Sequence, residues 1–240
     1  MSLPTFASSL WSKPRRGCIP HPMTKTLAKI CGLNDAAAVD AAVEAGADYL
    51  GFIIFPKSPR NVSPAEAGAL SQRKGAAKSV AVLVDPDDAL LADVLVKMRP
   101  DIVQLHGEES ALRCHDARQY AEAGVWKALG VSAAGDLEKA GAYRGHVDGF
   151  VFDAKPPKGA SRPGGLGEAW DYGLLKDFDA GAPWLLAGGL TVDTVAGAIA
   201  QSGAAGVDVV SGTESAPGVK DPAKIKAFIA AARGGAALAS

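Results

Sequence analysis

The sequence predicts an α/β protein folded as a single (β/α)8 TIM barrel, and three observations carry that prediction. Eight short apolar runs rich in Val, Ile, Leu and Phe alternate with longer Ala-rich stretches of helical spacing. The runs are apolar throughout rather than alternating with polar residues. That is the pattern of strands buried on both faces, hence of a parallel sheet. The units recur at about 26 residues, long enough for a βαβ crossover. Eight of them in roughly 220 residues suit a closed barrel better than an open doubly wound sheet.

The first strand is read at 27–31, LAKIC, and Asn34–Asp35 caps a helix at 35–45. The second is YLGFIIF at 49–55. It runs into the turn-rich FPKSPRNVS at 55–63, and Ser63-Pro64, a cap followed by proline, opens a helix at 64–74. SVAVLVD at 79–85 is the third strand, and Asp85-Pro86-Asp87 punctuates the start of a helix at 87–98. DIVQLH at 101–106 precedes a helical stretch at 109–123. VWKALG at 125–130, GFVFD at 149–153, PWLLAG at 183–188 and VDVVSG at 207–212 complete the set.

Composition excludes several function classes. Lys and Arg number 25 against 26 Asp and Glu, a net charge of -1, so no basic field gathers nucleic acid or an anionic membrane. No uncharged apolar stretch approaches the ~18 residues that a membrane helix needs. Three cysteines, at 18, 31 and 114, are too few for a disulfide scaffold and imply a reducing compartment, the cytoplasm. Residues 1–22 read differently from the rest. They hold four prolines and three positive charges, and the first acidic residue of the chain is Asp35. The prolines spoil the amphipathic helix of an organellar transit segment. The favoured reading is a disordered extension upstream of a start at Met23, with 23–240 as the barrel domain.

In a (β/α)8 barrel the site lies where strands run out at their C-terminal ends. The polar residues there are Cys31, the loop 56–63, Asp85, 104–107, Gly130, Asp153, Gly188–Gly189 and 208–215. The loops after strands seven and eight are glycine-rich, Ala187-Gly188-Gly189-Leu190-Thr191 and Ser211-Gly212-Thr213-Glu214-Ser215. Glycine lets backbone N–H groups approach an anion, and these two loops are the usual phosphate site of such barrels. Cys31 and Asp153 end strands one and six and face each other across the mouth, a thiolate and a carboxylic acid suited to moving one proton each. The alternatives are a small buried hydrophobe for Cys31 and, for Asp153, a loop carboxylate paired with Lys155. Arg60 either forks onto a carboxylate or is a solvated loop residue. His106 either orients a ligand or is satisfied by neighbouring backbone. Cys114 reads as surface or packing, and no HxxxH, CxxC or carboxylate cluster suggests a metal.

Six segments occur in register with these strand ends: KICGL (29–33), GADYLGFIIFPKSPRNVS (46–63), VQLHG (103–107), GGLGEAWDY (164–172), LLAGGLT (185–191) and GVDVVSGTESAPGVKD (206–221). Together they resemble the phosphoribosylanthranilate isomerase family of tryptophan biosynthesis, over roughly residues 25–233. The resemblance implies an Amadori rearrangement of a phosphosugar without cofactor or metal; one sequence leaves open whether the chain acts as a monomer or homodimer. The same resemblance implies Cys31 as general base, Asp153 as general acid, Arg60 on the anthranilate carboxylate and Asp208 near the anthranilate amine. It also implies a phosphate cradle of Gly188, Gly189, Ser211, Gly212 and Thr213. The chemistry needs Asp153 protonated and Cys31 ionised, so their environments are expected to push the two pKa values in opposite senses. Two positions depart from the family pattern: Leu166 stands where Thr is usual, in a stretch, 154–168, read as a lid over substrate, and Val210 where Ser is common. Two rivals remain. One is the related sugar isomerase of histidine biosynthesis, which has an aspartate where this chain has Cys31. The other is a non-catalytic phosphosugar-binding barrel.

Overall fold

The computed structural model describes residues 25–120, 124–155 and 169–234. The segment 1–22 with Cys18, and most of the expected lid, 156–168 with Leu166, lie outside the described residues. Eight parallel strands close on themselves in sequence order. They are β1 (Leu27–Cys31), β2 (Tyr49–Ile53), β3 (Lys78–Leu83), β4 (Ile102–Leu105), β5 (Gly124–Val131), β6 (Gly149–Ala154), β7 (Trp184–Leu186) and β8 (Gly206–Val209). Closure is made by β1 and β8, with Leu27 opposite Gly206 and Lys29 opposite Asp208.

The uniform apolarity of the strands has the cause the sequence suggested, since both faces are covered. One face packs outward in a large cluster that includes Ile30, Leu50, Phe52, Leu105, Phe150 and Phe152. The other fills the barrel interior with Val80, Val82, Ile102, Trp126, Ala128 and Val151, and Cys31 belongs to this inner cluster. Alternation along β1 therefore sends Lys29 and Cys31 inward and Ala28 and Ile30 outward.

Three helices start where the sequence places their caps, after Asp35, Ser63 and Asp87. The helices are α1 (Ala36–Glu44), α2 (Pro64–Ser71), α3 (Asp88–Lys97), α4 (Ala111–Tyr120), α5 (Ala134–Leu137), α6 (Ala140–Tyr143), α7 (Val195–Ser202) and α8 (Pro222–Ala232). The Asp35 carboxylate accepts from the Ala38 N–H at 2.8 Å. Ser63 and Glu66 form a reciprocal capping box around Pro64. Asp221 caps α8 through its carboxylate alone, which accepts from the Ala223 and Lys224 N–H groups, with Pro222 in the first turn.

Two units depart from the expected regular alternation. The fifth crossover breaks into the one-turn helices α5 and α6, where Gly135, Gly141 and Gly145 crowd one short segment and lower its helix propensity. After β6 the described residues hold only a 3-10 turn, Tyr172–Leu175. A third feature had no sequence signal. After β8 the chain forms a small antiparallel hairpin, β9 (Glu214–Ala216) with β10 (Val219–Lys220), before entering α8. This hairpin turns Lys220 back toward the mouth of the barrel. Among the described residues no helix is long and apolar enough to cross a membrane.

Candidate active site

Cys31 ends β1 on the inner face and is 2 % exposed. Its neighbour across the sheet is Gly51, where a Cβ would lie 2.7 Å from the Cys31 Sγ, so β2 leaves the thiol its space by lacking a side chain. One inward position below it on the same strand, the fully buried Lys29 donates to Asp208 Oδ2 at 2.9 Å. The second oxygen, Asp208 Oδ1, is buried without a hydrogen-bond partner among the described residues. Lys220 donates to the Val210 carbonyl at 2.6 Å and to Thr213 Oγ1 at 3.1 Å, and so ties the hairpin to the loop after β8.

The electrostatics correct one expectation. Burial pushes the Cys31 thiol up from its ordinary value; Lys29 pulls it down, Asp208 raises it again and Lys220 lowers it, with burial the largest influence. The pocket alone therefore does not hand the chemistry a ready thiolate. Lys29 shows the opposite balance. Burial would lower its pKa, but Asp208 and Cys31 outweigh that and raise it, so the ammonium is firmly charged.

Arg60 is not a solvated loop residue. It is 2 % exposed, and its Nε and Nη2 donate to the two oxygens of Glu214 at 2.7 and 2.8 Å, a bidentate fork. Burial would raise the Glu214 pKa, yet Arg60 and Lys220 hold the carboxyl below its usual range. The Arg60 side chain lies against Gly32, at φ +78°, where a Cβ would meet the Arg60 Cδ at 3.0 Å. A side chain at 32 would be strained by its own backbone and would push the guanidinium off Glu214.

On the other side of the mouth, Asp153 ends β6 and is 8 % exposed. Its Oδ1 accepts from the Ala154 N–H at 2.8 Å, and its Oδ2 stands 3.4 Å from His106 Nε2. His106 is in turn held through Nδ1 by the Gln104 amide at 3.0 Å. Lys155 is engaged elsewhere, on Asp136 at 3.0 Å, so the surface ion pair expected as the alternative for Asp153 does not form. His106 is held by side chains rather than by backbone.

The two glycine loops touch. A Cβ on Gly212 would lie 2.0 Å from the Leu190 carbonyl oxygen, and one on Gly188, at φ +87°, would lie 2.5 Å from the Ala154 nitrogen. Tyr172 donates its hydroxyl to the Gly188 carbonyl at 2.6 Å, and the Trp170 indole N–H reaches the Ala187 carbonyl at 3.0 Å. The loop after β7 is thus clamped between aromatic donors below and the loop after β8 beside it.

A family model described as N-(5'phosphoribosyl)anthranilate (PRA) isomerase matches residues 28–231. The chain belongs to that family. A curated N-(5'-phosphoribosyl)anthranilate isomerase of Rhodopseudomonas palustris (strain BisB18) is 53% identical over 206 residues, covering 85% of this chain and 94% of the relative. The isomerase of Rhodospirillum rubrum is 49% identical over 218 residues, 89% of this chain and 100% of the relative. Among solved structures, the phosphoribosyl anthranilate isomerase of Thermotoga maritima superposes with a TM-score of 0.79 at 36% identity, covering 87% of this chain and 99% of that one. Another, a phosphoribosyl anthranilate isomerase in complex with reduced 1-(o-carboxyphenylamino)-1-deoxyribulose 5-phosphate, gives a TM-score of 0.76 at 33% identity, with the same two coverages.

In this member of the PRA isomerase family, the sequence-predicted residues gather in three places on one face. Cys31 and Asp208 meet around Lys29, Asp153 meets His106, and Gly188, Gly189, Ser211, Gly212 and Thr213 form adjoining loops. Arg60 lies beside the first group through Gly32 and Glu214. Two residues escaped sequence reasoning. Lys29 carried a usable signal, a lone charge inside an apolar strand at the spacing that faces Cys31. Lys220 carried none, because only the β9–β10 hairpin brings it in. Cys114 is buried in α4 and raised to about 11, chiefly by burial, so it packs and does not react.

Proposed function

We propose that this chain converts N-(5-phosphoribosyl)anthranilate into 1-(2-carboxyphenylamino)-1-deoxyribulose 5-phosphate, an aldose–ketose isomerisation of the Amadori type in tryptophan biosynthesis. The observation that carries this reading is a buried thiol on β1 and a carboxyl on β6 converging on one mouth whose rim is built of the two glycine loops. Asp153 gives its proton to the furanose ring oxygen; the C1–O bond breaks and the anthranilate nitrogen becomes an iminium. Cys31, as thiolate, takes the C2 proton, and the C–H electron pair moves into the iminium to leave an enolamine, which tautomerises to the ketone. The iminium acts as electron sink, which makes a carbon-bound proton acidic enough for a thiolate.

The other groups bind and orient. Glu214 occupies Arg60 Nε and Nη2, so the outer edge of the guanidinium is left for the anthranilate carboxylate. Gly188, Gly189, Ser211, Gly212 and Thr213 receive the phosphate through backbone N–H groups. His106 steadies Asp153, and Asp208 Oδ1 is the acceptor that faces the anthranilate nitrogen. The partner is a small phosphosugar, and the chain acts as a monomer or homodimer in the cytoplasm, where Cys31 stays a free thiol. The direct test is fluorescence: the substrate emits as an anthranilate conjugate, and the purified chain is expected to abolish that emission within minutes. Persistent emission at high protein concentration would instead favour a barrel that only binds phosphosugars.

Two binding predictions follow from the same geometry. Arg60→Ala removes a charge-assisted contact and is expected to raise KM on the order of tenfold to a hundredfold, with a smaller effect on kcat. An unchanged KM contradicts the assigned role. Gly212→Ala drives a Cβ to 2.0 Å from the Leu190 carbonyl oxygen, so the phosphate loop must shift. Its KM is expected to rise at least about tenfold, the loss of one good contact, and inhibition by inorganic phosphate to weaken in parallel.

A further inference from the structure

Lys29 is, with Lys127, one of two fully buried lysines among the described residues that the proposed reaction leaves without a task, and it is the one beside the reactive thiol. It is 0% exposed, on the inner face of β1, two residues from Cys31 and 2.9 Å from Asp208. A buried ammonium costs stability unless it is paired, and replacing such a pair by apolar side chains is often neutral, so a pair placed beside a nucleophile calls for a reason. The groups facing the thiol are Lys29 from its own strand, Asp208 from β8 and Lys220 from β10, while β2 offers only Gly51. Lys220 is already engaged by Glu214 at 3.4 Å and by Val210 and Thr213. Lys29 has one carboxylate partner, Asp208, and lies on the same inner face of β1 as the sulfur.

The geometry points to Lys29 as a positioning residue for the general base: its ammonium, clamped by Asp208, is the counter-charge that lets Cys31 exist as a thiolate inside the barrel. The idea rests on Cys31 being the base, as proposed above. Asp208 works against Lys29 at the sulfur, because a carboxylate beside a thiolate repels it. Burial acts on the thiol in the same direction as Asp208, Lys29 opposes both, and of the two charges the pull of Lys29 is the larger. The arrangement is therefore responsive to substrate. Asp208 Oδ1 has no partner among the described residues, and a cationic nitrogen seated on it would neutralise the carboxylate and leave the full charge of Lys29 to the sulfur. The thiol proton then leaves to solvent at the mouth. The base would strengthen just when an iminium is present to make the C2 proton removable.

The test reads the thiol directly. Alkylation of Cys31 by iodoacetamide is followed against pH in the free protein, with the labelled cysteine identified by peptide mass. Lys29→Met is expected to move the midpoint up by about one pH unit or more, the size of a neighbouring-charge effect. Asp208→Asn is expected to move it down. Lys29→Arg should restore most of the wild-type profile. In turnover, Lys29→Met should lower kcat about tenfold at neutral pH for each unit of midpoint shift, with KM changed far less. Should Lys29→Met fail to fold, the double variant Lys29→Met/Asp208→Asn removes both charges, and its midpoint still rises because the influence of Lys29 is the larger. A midpoint unmoved in Lys29→Met, or moved in the same direction by both single variants, overturns the inference. Full activity in Cys31→Ser overturns the reading on which it rests, and the alkylation profiles tell the two failures apart.

Discussion

Cys31→Ser and Asp153→Asn are each expected to lower turnover by at least about 100-fold, the lower range for a group that moves a proton in the transition state. Both changes are close to isosteric. Serine keeps the small volume beside Gly51, where the thiol already fills the available space. Its hydroxyl ionises at far higher pH than a thiol, so the base is lost while the packing stays. Asparagine at 153 retains an oxygen to accept from the Ala154 N–H, now at 2.8 Å from the carboxylate, but holds no acidic proton for the ring oxygen. Neither variant disturbs Arg60, Glu214 or the glycine loops, so KM should change by much less than kcat. Steady-state kinetics by loss of anthranilate fluorescence separate the two constants, and circular dichroism confirms the fold. Near-normal kcat in a folded Cys31→Ser or Asp153→Asn protein contradicts the proposed mechanism. The double variant should be no faster than the slower single one, because the two groups move different protons in successive steps.

The barrel was legible in the sequence because its physical cause is local. Strands buried on two faces need continuous apolar runs, and caps such as Asp35 and Ser63 satisfy N–H groups within three residues. The irregular parts were not legible. The break of the fifth crossover into α5 and α6 depends on which glycines are tolerated by packing, and the β9–β10 hairpin depends on contacts to the loop after β8.

The site divides along the same line. Cys31, Asp153 and the glycine loops were found because barrel topology places the reactive face at strand ends before any chemistry is considered. The state of the thiol was not. The expectation of a thiolate treated Cys31 as a residue type in a position, whereas its proton affinity is set by burial and by Lys29 and Asp208 from two different strands. Arg60 shows the same limit. Its position was readable, but the bidentate lock by Glu214 joins residues 154 positions apart. Residues whose partners are distant in sequence keep their identity in a sequence reading and lose their electrostatics.

The largest stability effect is expected outside the reactive centre, at Glu109. Lys127 points outward from β5 into the layer between barrel and helices, 1% exposed, and donates to Glu109 at 2.9 Å and to the Gly107 carbonyl at 2.6 Å. Glu109 also accepts from the Asp85 N–H at 2.8 Å and from the Gly107 N–H at 2.9 Å. One carboxylate thus ties together the loops after β3 and β4 and the middle of β5. Glu109→Ala leaves a buried ammonium without its counter-charge, held only by the Leu105, Gly107 and Ala128 carbonyls, and two part-buried N–H donors unpaired, a loss of about 3–5 kcal/mol. For a domain of this size that corresponds to a fall in Tm of roughly 6–20 °C. The loop concerned continues directly from His106, so kcat should also fall, but by less than for Asp153→Asn because the proton donor itself remains. Lys127→Met combined with Glu109→Met removes both charges and replaces the pair by apolar volume. That double variant is expected to recover much of the lost Tm, although the Asp85 and Gly107 donors stay unpaired. Calorimetry of the three proteins decides the matter. A Glu109→Ala protein within about 2 °C of the parent, less than one kcal/mol for a domain of this size, would mean that Lys127 finds water or another acceptor, and the pair then contributes little to holding the loop.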